Sequence, residues 1–168
     1  MTGHRRPIYL DATVLSNFAS TDAIDSLVAI LDAPTVVPAV RDEIERGHDL
    51  GHAYLTNAIE AFDDGLSIGT VPADGGEPRV RERLDAGEAD ALLGALDAEG
   101  TLATDDLAAR RLASDLSVPV TGSIGILVMG IERDQIDRDQ ADAWLHAWRE
   151  TRGYYAPVES VSAVLDDS

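Results

Sequence analysis

The residues with the most chemical promise are aspartates that close short apolar runs. Asp105 and Asp106 follow Thr101-Leu102-Ala103-Thr104, and Asp11 closes Pro7-Ile8-Tyr9-Leu10. Glu43 lies in a helical stretch after a second apolar run. Asp90, with Glu88 close before it, lies in the helical stretch before Thr101. Carboxylates that converge repel and raise one another's proton affinity. A divalent cation removes that penalty, and Mg²⁺ takes a few carboxylates while keeping several waters. A cation so held activates water and steadies charge on a phosphodiester. Each acid also has a plain structural use. Asp106 suits the N-cap of LAARRL, Asp11 suits the cap of the helix after it, and Glu43 and Asp90 suit solvated helix faces. With 31 acids in the chain, coincidence competes with a site. The combination of strand-end acids with an acid in each intervening helix favours the site.

The elements that must position these acids alternate. Thr101 to Gly122, TLATDDLAARRLASDLSVPVTG, reads as strand, helix and strand, the second strand being Val118-Pro119-Val120. At this spacing the strands should be parallel neighbours with a right-handed crossover. Earlier strands are expected at Pro7–Leu10, Thr35–Val37 and Leu66–Val71. Helices are expected from Ala12 to Phe18, from Ala23 to Leu31 capped by Thr21-Asp22, and from Pro38 to a stop at Gly47. Tyr54–Phe62, a run from Val80 with a break at Gly87, Asp90–Leu96, Ser123–Ile131, Asp139–Trp148 and the tail with Val158, Val161, Val164 and Leu165 are also helical in pattern. PADGGEP, Pro72–Pro78, is a loop. This alternation predicts an α/β fold, a sheet of four to five largely parallel strands covered on both faces. Sites in such sheets gather beyond the carboxyl ends of the strands, at the point where the strand order reverses. The ends of the first and fourth strands are expected to meet there.

At 168 residues the chain fits one domain, with 132–168 as a C-terminal helical extension. No apolar run nears the ~20 residues of a membrane span, and the N-terminus lacks the apolar region of a signal peptide. Cysteine is absent, which removes thiolate metal sites and fits a cytoplasmic protein. His4, His48, His52 and His146 are scattered. The net charge is −18, and all 13 basic residues are arginine. Without lysine there is no P-loop and no Schiff-base chemistry. The acids are spread along the chain, as in proteins adapted to a salty cytoplasm, where screening reaches ~3 Å at 1 M salt. Net charge therefore neither admits nor rejects a nucleic-acid partner.

The order of motifs YLDATVLSNFA, VVPAVRDEIERG, LDAGEADALLGAL and LATDDLAARRLASDLSVPVTGSIGIL resembles the PIN-domain proteins of prokaryotes, the VapC-like toxin nucleases and their relatives. The resemblance covers roughly Ile8 to Ile131. It implies a three-layer α/β/α sandwich and a metal-dependent ribonuclease site. Asp11, Glu43, Asp90 and Asp106 match the family acids, with Glu88 and Asp105 close by as further ligands for Mg²⁺ or Mn²⁺. Thr13 and Asn17 lie where small polar residues follow the first acid, and Arg110 is expected near the acids, where it could touch substrate. Arg79, Arg81 and Arg83 are placed to meet a phosphate backbone, or simply to face water. The family also implies an antitoxin partner and a homodimer. The competing readings are a catalytically silent PIN-like module that binds a protein through Trp144, Trp148 and Val158–Leu165, and a different acid-metal nuclease or phosphatase on a similar sheet.

Overall fold

The computed structural model describes residues 6–72, 78–154 and 160–166. The strands are β1 (Ile8–Leu10), β2 (Thr35–Val36), β3 (Ser67–Ile68), β4 (Thr101–Ala103) and β5 (Val120–Thr121). They form one all-parallel sheet in the order β3-β2-β1-β4-β5. The chain winds outward from β1 to β3, crosses back to β4, and winds outward again to β5. The order therefore reverses between β1 and β4, where Leu10 pairs with Ala103. The predicted parallel pairing of the last two strands is present, with Leu102 opposite Val120. Ile8, Leu10, Val36, Leu102 and Ala103 are buried, as strands covered on both faces require. Helices flank the sheet and complete the expected three-layer sandwich.

Capping residues set where the helices near β1 and β4 begin. In α1 (Ala12–Ser20) the cap is Asp11, whose Oδ1 accepts from the Ala12 N–H at 2.7 Å. Asp106 caps α7 (Leu107–Asp115), its Oδ2 accepting from the Ala109 N–H at 2.9 Å. Asp85 caps α6 (Ala86–Asp97) and accepts from the Glu88 N–H at 2.9 Å. Each carboxylate satisfies one of the orphan N–H groups of a first turn. The intervening helices are α2 (Ile24–Leu31), α3 (Pro38–Asp49), α4 (Thr56–Ala61), α5 (Pro78–Arg83) and α8 (Ser123–Glu132).

Several local expectations shift. Helix α3 runs through Gly47 to Asp49, because a glycine near a helix end costs only ~1 kcal/mol. The break expected at Gly87 falls instead at Leu84-Asp85, and Gly87 sits in the first turn of α6. Thr21 and Asp22 form the turn between α1 and α2, with Asp22 at φ 55°, and α2 has no side-chain cap. Of PADGGEP, residues 73–77 lie outside those described, as does Val158 of the tail.

The C-terminal helices α9 (Arg138–Arg152) and α10 (Val161–Asp166) join the same core. Ala141, Leu145, Trp148 and Val161 are fully buried, and Trp148 meets the edge of Phe18 at 5.0 Å between ring centres. Trp148 is thus a core residue rather than a free surface. Among the described residues, no helix is long and apolar enough to cross a membrane.

Candidate active site

Asp11 and Thr104 occupy the carboxyl ends of the central strands β1 and β4. The Asp11 N–H extends the ladder by donating to the Ala103 carbonyl at 2.9 Å. The Thr104 hydroxyl then donates to Asp11 Oδ2 at 2.8 Å. With its other oxygen on Ala12, the Asp11 carboxylate is fixed in orientation. It is also 4% exposed, and burial lifts its proton affinity. The hydrogen bonds from Thr104 and Ala12 oppose that rise, while Glu43 and Asp85 add to it, leaving a pKa of about 6.

Glu88 carries the larger shift. Partial burial raises it first, followed by the negative charges of Asp106, Asp85 and Asp11 and a hydrogen bond with Asp85, to about 8. Glu43 is raised by desolvation and by Asp85, and Arg46 counters part of this. Glu43 Oε1 lies so close to the first turn of α6 that a Cβ on Gly87 would stand 3.0 Å from it. Asp11, Glu43, Asp85, Glu88 and Asp106 thus form one mutually repelling group beyond the ends of β1 and β4.

Asp90 stands apart from this group. Its Oδ1 is 2.7 Å from the Arg81 guanidinium. The cause is helical geometry: residues two apart point ~200° away from each other around the axis. Glu88 and Asp90 cannot both face Asp11, and Glu88 is the one that does. Arg81 is correspondingly committed to Asp90 rather than offered to a phosphate. Asp85 was not among the acids expected here. Its signal was the spacing Asp85-x-x-Glu88 ahead of an apolar run, a capping-box pattern.

Asp105 has a different setting from its neighbour. Its oxygens accept from Ser123 N–H at 2.9 Å, Ser123 Oγ at 2.6 Å, Asn17 Nδ2 at 3.5 Å and the Tyr154 hydroxyl at 3.4 Å. Burial, together with the charge of Asp105 and the hydrogen bond to it, pushes the Tyr154 hydroxyl well above the usual tyrosine range, so it stays a donor. A Cβ on Gly122 would lie 2.6 Å from Asp105 Oδ1 and 2.9 Å from an Arg110 nitrogen, so only glycine fits there without displacing them. Arg110 donates to the Thr104 carbonyl at 3.0 Å and so stands beside the acids, as expected. Asn17 is 1% exposed and faces inward, where the sequence suggested substrate contact. Thr13 is exposed in the first turn of α1. Tyr154 and Arg152, which donates to Asn17 Oδ1 at 2.7 Å, were not anticipated, since nothing in the local sequence links the C-terminal helix to Asp105.

Whether a divalent cation suits these residues can be judged from the donors. All are hard oxygens, and burial together with neighbouring negative charge raises the proton affinity of Asp11, Glu43 and Glu88, a setting that a cation relieves. Among the described residues, no three acidic or imidazole side chains converge to hold an ion between them. Mg²⁺ does not need such a cage, because it binds through one or two carboxylates plus waters and substrate phosphates. The donor set therefore fits that mode. No curated protein matches the chain. A family model described as a PIN domain matches residues 7–168, spanning every strand and all of the acids above. With the parallel sheet and the acids at its reversal point, that match places the chain in the PIN-domain family.

Proposed function

We propose that this protein is a metal-dependent endoribonuclease that hydrolyses RNA phosphodiester bonds. In this reading one or two of Asp11, Glu43, Glu88 and Asp106 take up Mg²⁺ or Mn²⁺ together with waters and substrate phosphates, and Asp90 keeps to Arg81. PIN domains are in general nucleases. The reading extends to a cytoplasmic toxin, paired with an antitoxin and acting as a homodimer. The observation that carries the enzymatic part is the gathering of acids at the reversal point, where burial first and like charges second raise Asp11 to about 6 and Glu88 to about 8.

Bound there, the cation supplies charge neutralisation and makes a water more acidic. The chain's own residues do the rest. Asp11 is pinned by Ala12 and Thr104, so it offers its charge in one direction without reorganising. Glu88 approaches from the first turn of α6, where the helix dipole favours negative charge. Asp106 commits Oδ2 to the cap of α7, and its charge acts on Glu88. Thr13, exposed beside Asp11, is available to substrate. Because the proton affinities of Asp11 and Glu88 are raised, a cation competes with protons for them, and metal affinity should rise with pH.

The test is cleavage of a single-stranded RNA in Mn²⁺ and molar salt, where screening offsets the −18 charge. Asp11→Asn and Asp106→Asn should each lose roughly 100-fold or more in rate, a loss of order 3 kcal/mol in transition-state stabilisation. Variants that cleave as fast as the parent would reject the proposal. A metal titration addresses the silent-module alternative, which requires no measurable Mn²⁺ uptake.

A further inference from the structure

We propose that Arg152, at the end of the C-terminal helix, is a positioning residue for the aspartate pair after β4, acting through Asn17. This rests on the nuclease reading above. The physical basis is donor and acceptor chemistry. A guanidinium can only donate, and Arg152 Nε donates to Asn17 Oδ1 at 2.7 Å. That bond decides which end of the amide faces which way. Asn17 Nδ2 must then point to the opposite side, where it donates to Ser123 Oγ at 3.1 Å and toward Asp105 Oδ2 at 3.5 Å. The Ser123 hydroxyl, having accepted from Asn17, donates to Asp105 Oδ2 at 2.6 Å. The donor sense therefore runs one way, from guanidinium to amide to hydroxyl to carboxylate, an order in which each bond polarises the next.

Two further contacts hold the relay. Arg152 NH1 donates to the Tyr54 hydroxyl at 2.7 Å, and the guanidinium lies 5.6 Å over the Tyr54 ring. The guanidinium is thus gripped by one side chain and free to orient another. Tyr154, in the segment that follows Arg152, donates to the other oxygen of Asp105 at 3.4 Å. Asp105 is consequently saturated with donors and serves as an anchor. Its neighbour Asp106 is left to face Glu88. If the amide turns over, Oδ1 of Asn17 confronts the Asp105 carboxylate, the anchor loosens, and Asp106 shifts with it.

Two readouts test the relay, one of them independent of metal. In the parent, the Asn17 side-chain amide protons should exchange slowly with solvent by NMR. In Arg152→Ala they should exchange at least roughly tenfold faster. Mn²⁺ affinity, measured without RNA, should fall roughly tenfold, as for other residues that orient metal ligands. Arg152→Lys should restore part of both, since the amine can still donate to Asn17. Asn17→Ala should lose the same affinity, and adding Arg152→Ala to it should cost no more, because the arginine acts only through the amide. Near-UV circular dichroism from Trp148 checks folding. Should Arg152→Ala fail to fold, Arg152→Met, which keeps the apolar stem without a donor, replaces it with the same expectations. Unchanged amide exchange, or additive losses in the double variant, would overturn the relay. A parent that binds no Mn²⁺ would instead sink the nuclease reading, and amide exchange alone would then decide the relay.

Discussion

Asp11 and Asp105 leave neighbouring strands only a few residues from the reversal point, yet the fold treats them in opposite ways. Asp105 receives hydrogen bonds from Ser123, Asn17 and Tyr154 and is satisfied by protein donors. Asp11 receives two, is almost wholly buried, and faces Glu43 and Asp85. One carboxylate is solvated by protein donors; the other is buried and crowded by like charges. The contrast teaches that a conspicuous aspartate pair in sequence need not be the reactive pair in space. Here Asp105 is held by protein donors, and the acids that crowd Asp11 come from other helices.

The largest expected effect breaks this comparison directly. Asp105→Asn should turn an NH₂ group toward donors on Ser123 and lower stability by about 1–3 kcal/mol. Asp11→Asn, with the buried charge removed, should leave metal-free stability at pH 7 unchanged or higher while abolishing cleavage. Denaturant melts of both variants without metal check the pair, and equal destabilisation would erase the distinction.

Next in size is the pH dependence of metal-free stability. An acid whose folded pKa is raised keeps its proton longer in the native state, so stability is lost as pH rises between the unfolded and folded values. For Asp11 the window runs from 3.8 to about 6 and is worth at most about 3 kcal/mol. Glu88 extends the decline from 4.5 toward about 8. Melts from pH 4 to 8 should show falling stability, and Mn²⁺ or the Glu88→Gln substitution should flatten the upper part. A rise with pH would contradict the crowding of the acids.

Gly122→Ala sharpens the other half of the comparison. The added methyl must displace Asp105 or Arg110, an overpacking cost of about 1–3 kcal/mol. The melting temperature should fall by several degrees, and the hydrogen bonds from Ser123 to Asp105 should be the first to weaken. Smallest of all is Arg81→Ala. The pair with Asp90 is partly exposed and is worth under about 1 kcal/mol, so stability should hardly move. Comparing Glu88→Gln with Asp90→Asn in the cleavage assay then ranks the two acids, and a greater loss at Asp90 would restore it to the site.

The strand and helix alternation was legible because the helices carry apolar periodicity and those after β1 and β4 carry aspartate caps. The apolar runs ending at Leu10 and Ala103 and the aspartate caps at Asp11 and Asp106 are local consequences of backbone chemistry. That β1 and β4 should adjoin followed from topology, and the pairing of Leu10 with Ala103 bears it out. Two things lay beyond the sequence. Which of Glu88 and Asp90 turns inward depends on the rotation of α6 about its axis, and that is set by packing of Ala91, Leu92 and Ala95 against the core. The donors around Asp105 come from Asn17 in α1, Ser123 in α8 and Tyr154 after α9, remote in the chain and brought together only by tertiary packing. Local residues determine what each segment becomes; only the packed interior decides which charges must face one another, because that depends on distances no segment contains.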